Sequence, residues 1–325
     1  MVAALGMGTS VAFDIMMPFY GRLDHFKAAV ESVLAQTDPD WRLIVVDDVN
    51  PDLTPGEWLV SLGDPRITYI RNEINLKPSR NYRKAASLMS SEYSILMGCD
   101  DVMLPGFLGH VKTLVATHPD VDVVQVGVEP IDADGQRHFP MADRVKSWIR
   151  PGGPYPRVLE GPDLARSLLR GNWTYFPSLV WRVSEIQKPG FRIDLDVVQD
   201  LEMLLQITLR GGRILLDDRI EFQYRRHTQS YSAITGPDGS KFAQERKVFT
   251  EAAEATAALG WTGAARTARS HISSRLHAMT ELPAAVKARN PIGVRALLRH
   301  ATGSTMNRAE ETRSGHAPVP DQHAR

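Results

Sequence analysis

The chain has 325 residues, zero formal net charge, 43% hydrophobic and 23% charged residues, and a single cysteine. A neutral balance removes any global electrostatic case for nucleic acid or an anionic polymer as partner, and a lone Cys99 excludes an internal disulfide and fits a reducing compartment. No apolar run reaches the ~18 residues of a membrane span. The opening MVAALGMGTS lacks the basic and long apolar segments of a signal peptide, so residues 1–10 read as a tail and the protein as cytoplasmic.

Taken in chain order, VAFDIMMP (11–18) is a strand candidate, and LDHFKAAVESVLAQ (23–36) places Leu23, Phe26, Val30, Val33 and Leu34 on one helical face. RLIVVDD (42–48) is the β-branched run of a strand buried on both faces, and ITYIRN (67–72) is a weaker one. SRNYRKAASLMS (79–90) is helical, with Ser79 after Pro78 suited to an N-cap. YSILMG (93–98), PGFLGHVKTLVATHP (105–119) and VDVVQVGV (121–128) continue as strand, helix, strand. This βα rhythm predicts an α/β domain with a mostly parallel central sheet.

Residues 133–162 are rich in Pro and Gly and are expected to form a loop or lid. A short helix over 161–171 follows, then a strand over 173–183 interrupted by Pro177. VVQDLEMLLQITLRGG (197–212) reads as a helix with a glycine stop, and 213–227 as one long strand or two. From 236 to 302 the pattern is helical and alanine-rich, with Lys and Arg outnumbering Glu. That excess is either a solvated basic face or a peripheral contact for anionic lipid or a partner. Residues 303–325 are polar, aperiodic and expected to be disordered.

Two apolar strands end in paired aspartates: Asp47–Asp48 and Asp100–Asp101. In open α/β sheets, ligands bind outside the carboxyl ends of strands, where strand order reverses. One such pair can be turn chemistry; two with a basic segment between them outline a polar site. Mg2+ or Mn2+ takes few protein carboxylates and completes its shell with water and phosphate oxygens, which suits Asp100–Asp101 and a diphosphate. Asp47 and Asp48 are then free to accept hydrogen bonds from a base or ribose. A dinucleotide-binding domain would need a Gly-rich turn after the first strand; FYGRLDHF has one glycine, and no Walker lysine loop is present.

These stretches together resemble family 2 glycosyltransferases of GT-A fold. The likeness is carried by MMPFYGRLDHFKAAVESVLAQTDPDWRLIVVDDVNPD, SRNYRKAASLMSSEYSILMGCDDVMLPGFL, QDLEMLLQITLRGG and YRRHTQSYS, four blocks in order over 11–235. It implies a Rossmann-like α/β/α sandwich over 11–235, with the helices of 236–302 as an appendage. It further implies an inverting transfer of sugar from a nucleotide sugar, UDP or dTDP favoured, to an acceptor hydroxyl, in cell-wall, polysaccharide or glycolipid synthesis. By the same resemblance Pro18, Tyr20, Asp48 and neighbouring Asp47 hold the nucleoside, and Arg80 and Asn81 sit by the donor. Asp100, supported by Asp101, binds a divalent Mn2+ or Mg2+ on the diphosphate, Asp200 is the catalytic base, and Arg226 and His227 close on the metal or diphosphate. The family's metal motif often begins with an Asp where this chain has Gly98, and Gln199 stands where Glu is more usual.

Asp200 falls early in its helix, where the dipole favours negative charge; its alternative is a purely stabilising helix-start carboxylate. Glu202 is a neighbour expected on another face. His227 has a surface alternative. Trp173, Tyr175 and Trp181 are core residues or a sugar-stacking platform, and Trp148 and Tyr155 are candidate acceptor contacts. Cys99 reads as a packed neighbour, not a nucleophile. Two other functions share this pattern: a degenerate scaffold domain, and a sugar-nucleotide pyrophosphorylase, whose basic Gly-rich loop is absent.

Overall fold

The structure, a computed structural model, describes residues 13–226 and 239–302. The chain begins with β1 (Phe13–Phe19), α1 (Leu23–Leu34), β2 (Trp41–Asp47), α2 (Thr54–Ser61), β3 (Ile67–Arg71), α3 (Pro78–Ser87) and β4 (Tyr93–Leu96). It continues through β5 (Val102–Met103), α4 (Phe107–Thr117), β6 (Val123–Ile131), α5 (Met141–Ile149), β7 (Arg157–Leu159) and α6 (Gly161–Arg170). After a 3-10 turn at Phe176–Ser178 come β8 (Leu179–Arg182), α7 (Val183–Gln187), α8 (Gln199–Leu209) and β9 (Ile214–Arg225). The last four helices are α9 (Ser240–Ala258), α10 (Thr262–Ser270), α11 (Ile272–Lys287) and α12 (Pro291–Thr302).

Among the described residues one nine-stranded sheet runs β3-β2-β1-β4-β8-β6-β9-β5, with β7 on β9. The strands β3, β2, β1 and β4 are parallel, β8 is antiparallel to both its neighbours, and β6 and β9 are again parallel. The mixed character enters at three short strands, β8 and the β5 and β7 partners of β9, each paired antiparallel. Side chains alternate between two cores. Met16, Ile44, Val46 and Leu96 face the one that also holds α6, α8 and the C-terminal helices; Ile15, Met17, Leu43, Val45 and Ile95 face the one under α1 and α4. Both faces being covered explains why β1 and β2 read as continuous apolar runs.

Three expectations are refined. Residues 133–162, expected as loop or lid, carry α5 and β7. Residues 213–227 hold one bent strand: β9 pairs β7 with its first half and β5 with its second. Its bulge lies over Gly127, where an added Cβ would sit 2.4 Å from the Asp218 carbonyl oxygen. The C-terminal helices share a core with the sheet domain, Val248, Phe249, Ala252 and Ala264 packing with Leu164, Leu168 and Leu201.

Candidate active site

Because β1 lies between β2 and β4, the strand order reverses at its carboxyl end. That reversal gathers Pro18–Tyr20, Asp47–Asp48 and the turn Gly98–Asp101 along one crevice. Pro18 is buried opposite Val46, and Tyr20 stands 45% exposed at the mouth.

The two aspartates after β2 have different surroundings. Asp47 Oδ1 accepts the Asn50 N–H at 2.7 Å, and its Oδ2 accepts Arg71 Nη1 at 2.7 Å and the Tyr69 hydroxyl. Its carboxylate is thus taken up by the protein. Asp48 accepts Asn72 Nδ2 at 2.8 Å and Leu76 N–H at 2.7 Å, both on Oδ1; no described residue donates to Oδ2. Asn81, buried at the start of α3, donates to the Val46 carbonyl and accepts from Asn72, while Lys84 donates to Asn72 Oδ1 at 2.6 Å. Asn81 therefore fixes α3 to the end of β2, and Arg80 beside it is exposed.

At the turn after β4, Asp101 is buried, and its Oδ1 accepts the Arg225 N–H at 2.8 Å. Arg225 Nε also donates to the Asp100 carbonyl at 2.6 Å, tying the turn to the end of β9. Oδ2 of Asp101 is buried with no hydrogen-bond partner among the described residues. Burial, then the charge of Asp100, pushes the Asp101 carboxyl well above the ordinary carboxylate range. Gly98 is enclosed by the same pair: a Cβ there would lie 2.3 Å from Asp101 Oδ2 and 3.0 Å from Asp100 Oδ1. Cys99 is half-buried, its thiol pushed up by burial and Asp100, which keeps it un-ionised.

Across the crevice, Arg226 is gripped by Asp143 on α5 through Nη2 at 2.6 Å and Nε at 3.0 Å, a bidentate pair. The Tyr175 hydroxyl donates to the same carboxylate at 2.9 Å, and the Arg226 guanidinium lies 4.7 Å from the Tyr224 ring centre. Lys146, one turn along α5, donates to the Thr174 carbonyl and sits 4.5 Å over the Tyr175 ring. Burial, then Arg226, pushes the Lys146 ammonium down to about 8, while Asp200 and Asp143 oppose the shift. The Arg226 charge also reaches Asp101, so the two sides share one electrostatic environment.

Asp200 is the second residue of α8, and its Oδ2 accepts Asn172 Nδ2 at 2.6 Å. Asn172 is itself oriented by Thr174, whose N–H and hydroxyl both donate to its Oδ1. Glu202 is buried on another side, 3.7 Å from Arg192. The loop before α8 is clamped twice. The Ser79 hydroxyl shares its one proton between the Leu195 carbonyl and the Asp196 carboxylate, and Gln244 Oε1 on α9 accepts the N–H groups of Asp196 and Val197 at 2.8 and 3.1 Å.

Trp173 and Trp181 are fully buried core residues, not a platform. Tyr175 is half-buried within the site, Tyr155 bonds the Pro151 carbonyl, and Trp148 is exposed on α5. His227 lies outside the described residues. Asn72, Lys84, Asp143, Lys146 and Asn172 were not singled out in sequence, since each acquires its role through a partner distant in the chain. Among the described residues no three His, Cys, Asp or Glu side chains cluster as a metal site.

A family model described as glycosyl transferase family 2 matches residues 14–181, just over half of the chain. The chain belongs to glycosyl transferase family 2. The match spans β1 through most of β8, and so includes both aspartate pairs but not Asp200. The putative colanic acid biosynthesis glycosyl transferase WcaA of Escherichia coli is 34% identical over 211 residues, 63% of this chain and 69% of that protein. The succinoglycan biosynthesis protein ExoO of Rhizobium meliloti is 25% identical over 217 residues, covering 66% and 61%. The abequosyltransferase RfbV of Salmonella typhimurium is 24% identical over 142 residues, covering 41% and 40%.

Among solved structures, S. aureus TarS 1-349 in complex with UDP-GlcNAc superposes with a TM-score of 0.57 at 13% identity, covering 91% of this chain and 93% of that one. The mannosyltransferase PcManGT from Pyrobaculum calidifontis, in complex with GDP-Man and Mn2+, gives 0.56 at 14% identity, covering 93% and 82%. The GT-A fold expected from the resemblance is thus present, and the protein is a glycosyltransferase. No helix among the described residues is long and apolar enough to cross a membrane.

Proposed function

We propose that this family 2 enzyme transfers a sugar from a nucleoside-diphosphate sugar to an acceptor hydroxyl with inversion of configuration, in polysaccharide synthesis. The observation that carries the reading is the pair of acidic strand ends at one strand-order reversal, with Asp200 coupled to them through the charges of Lys146 and Arg226. Asp48 lies after β2 and Asp100–Asp101 after β4; the Arg226 charge acts on both Asp101 and Lys146, and Lys146 also feels Asp200. The names of WcaA and ExoO support a polysaccharide acceptor.

The nucleoside is assigned to Pro18, Tyr20 and Asp48. An acceptor-only carboxylate with an uncommitted oxygen suits the ring N–H of uracil or thymine, in line with UDP or dTDP as donor nucleotide, and guanine offers N–H donors as well, which leaves GDP as the alternative. Asp47 contributes indirectly by fixing the loop through Asn50 and Arg71. Arg80 and Asn81 lie on the donor side, Asn81 as an anchor for α3.

Asp100 and Asp101 suit a divalent cation. The orphaned Oδ2 of Asp101 and the crowding of two carboxylates are relieved by a positive charge. Bound there, Mn2+ or Mg2+ would neutralise charge on a departing diphosphate. Arg226, held by Asp143, supplies fixed positive charge for the same purpose. Asp200 takes the proton of the attacking hydroxyl, an effect of about 10²–10⁴-fold, and the Asn172 amide fixes the orientation of its carboxylate. His227 is assigned to the leaving-group side by resemblance alone.

Calorimetric titration of UDP, dTDP and GDP, with Mn2+ and then with EDTA, tests the donor site. Tight binding of a pyrimidine nucleotide only with metal is expected; failure of all three nucleotides to bind would sink the reading. Asp200→Asn is expected to bind donor as the parent does while losing about 10²-fold or more of transfer. Retained transfer would remove Asp200 as the base.

A further inference from the structure

The feature left unused by the active site is one side of α11. Ile272, Leu276, Met279, Pro283 and Val286 recur at alternating spacings of four and three, which aligns them in one stripe along the helix. Ile272, Leu276, Met279 and Val286 are 63%, 57%, 54% and 62% exposed. Pro283 is exposed as well. The inward side of the same helix is carried by Ser274, Ala278 and Ala285, so the stripe is additional to the packing face. Single exposed apolar residues are ordinary; a continuous exposed row marks an interaction surface.

At 100° per residue, Arg275 and Lys287 fall on the two margins of the stripe. The helix's one acidic residue, Glu281, points elsewhere, 3.4 Å from His277. Arg289 and Arg295, both exposed, follow directly in the chain.

We propose that this stripe is a docking face for an anionic phospholipid bilayer. A helix lying in a membrane interface sinks its apolar side among acyl chains, and basic residues at the margins lay their stems along it and reach phosphate with their heads. Charge complementarity selects lipid over a second copy of the chain. Two stripes zipped together would bring Arg275 and Lys287 of each copy to the seam, with no acidic residue there to pair with them. The chain's own segment 303–325 is a poor cover, since Met306 and Val319 are its only large apolar side chains. The inference stands apart from donor and base assignments, because vesicle binding requires neither.

The test is co-sedimentation of the full chain with vesicles of equal parts phosphatidylglycerol and phosphatidylcholine, against phosphatidylcholine alone, at about 0.1 M salt. Binding to the anionic vesicles is expected to exceed that to neutral ones by about tenfold or more. The triple variant Ile272→Ser, Leu276→Ser, Met279→Ser is expected to lose at least about tenfold with an unchanged thermal melt, since these side chains are exposed. Arg275→Glu with Lys287→Glu should weaken binding to the anionic vesicles and leave the neutral control unchanged. A parent protein that stays in the supernatant overturns the proposal. So does a stripe variant that binds as well as the parent. A parent dimer by light scattering that the stripe variant converts to monomer assigns the face to a second copy instead.

Discussion

Asp47 and Asp48 are adjacent in sequence, buried to a similar degree, and differ in what their oxygens do. Asp47 satisfies a backbone N–H, a tyrosine and an arginine, so Asp47→Ala strands three donors and is expected to cost about 3 kcal/mol of stability. Asp48→Ala is expected to lower stability less and nucleotide affinity more, about tenfold or beyond. Denaturant unfolding beside calorimetry separates the two; equal losses on both axes would undo the distinction. Gly98 supports a second residue-level expectation. Restoring the acidic residue usual in the family, as Gly98→Asp, should weaken metal-dependent nucleotide binding, because its Cβ would lie 2.3 Å from Asp101 Oδ2. Tighter Mn2+-dependent binding in this variant would show that the Asp100–Asp101 turn yields instead. The aspartates themselves were legible as polar interruptions at the ends of apolar runs. The division of labour was not, because it depends on Tyr69, Arg71 and Asn72, which pairing of β2 with β3 brings near.

At the scale of elements, α5, inside the segment that the family model matches, and α9, beyond it, both act on the site. The helix α5 was hidden in sequence by the Pro and Gly on either side of it. Its two site residues, Asp143 and Lys146, are one turn apart and face Arg226 and Tyr175. The helix α9 reaches the start of α8 through Gln244, which accepts the N–H groups of Asp196 and Val197 just before α8 begins. Ser79 on α3 holds the other side of that loop. The helix α3, the start of α8 and the C-terminal region are therefore linked through Ser79, Asp196 and Gln244. Gln244→Ala is expected to cost about 1–3 kcal/mol and to lower kcat about tenfold while the donor KM stays within about twofold, a loss of positioning rather than donor binding. Steady-state kinetics decide it: a KM change with kcat intact would place the effect on donor binding.

Over the whole molecule, the C-terminal helices close around a buried polar cluster. The Ser274 hydroxyl gives its one proton to Glu245, so it accepts from His300 Nε2–H at 2.7 Å, leaving Nδ1 buried and bare. Burial, then Arg246, pushes the His300 imidazole down to about 3. At His300 the folded chain then binds fewer protons than the unfolded one as pH falls below 6.5, so the contribution of this residue to stability drops in that direction. His300 should account for a loss of about 2 kcal/mol between pH 7.5 and 5, and His300→Phe should remove that share of the slope in thermal melts followed by circular dichroism. A slope unchanged in the variant would assign the acid sensitivity elsewhere. Sequence by itself determined the α/β class, the strand ends that bear aspartate, the family and the helical character of the C-terminal region. Those properties follow from local periodicity, strand length and motifs contiguous in the chain. Only the tertiary structure decided that Asp47 is a structural acceptor, that Trp173 and Trp181 are core, and that Asn172 holds Asp200. It also decided that Asp143 grips Arg226 and that the C-terminal helices share a core with the sheet. Each of these rests on a contact between residues far apart in sequence, and hydrogen-bond satisfaction and close packing become visible only when the chain is folded.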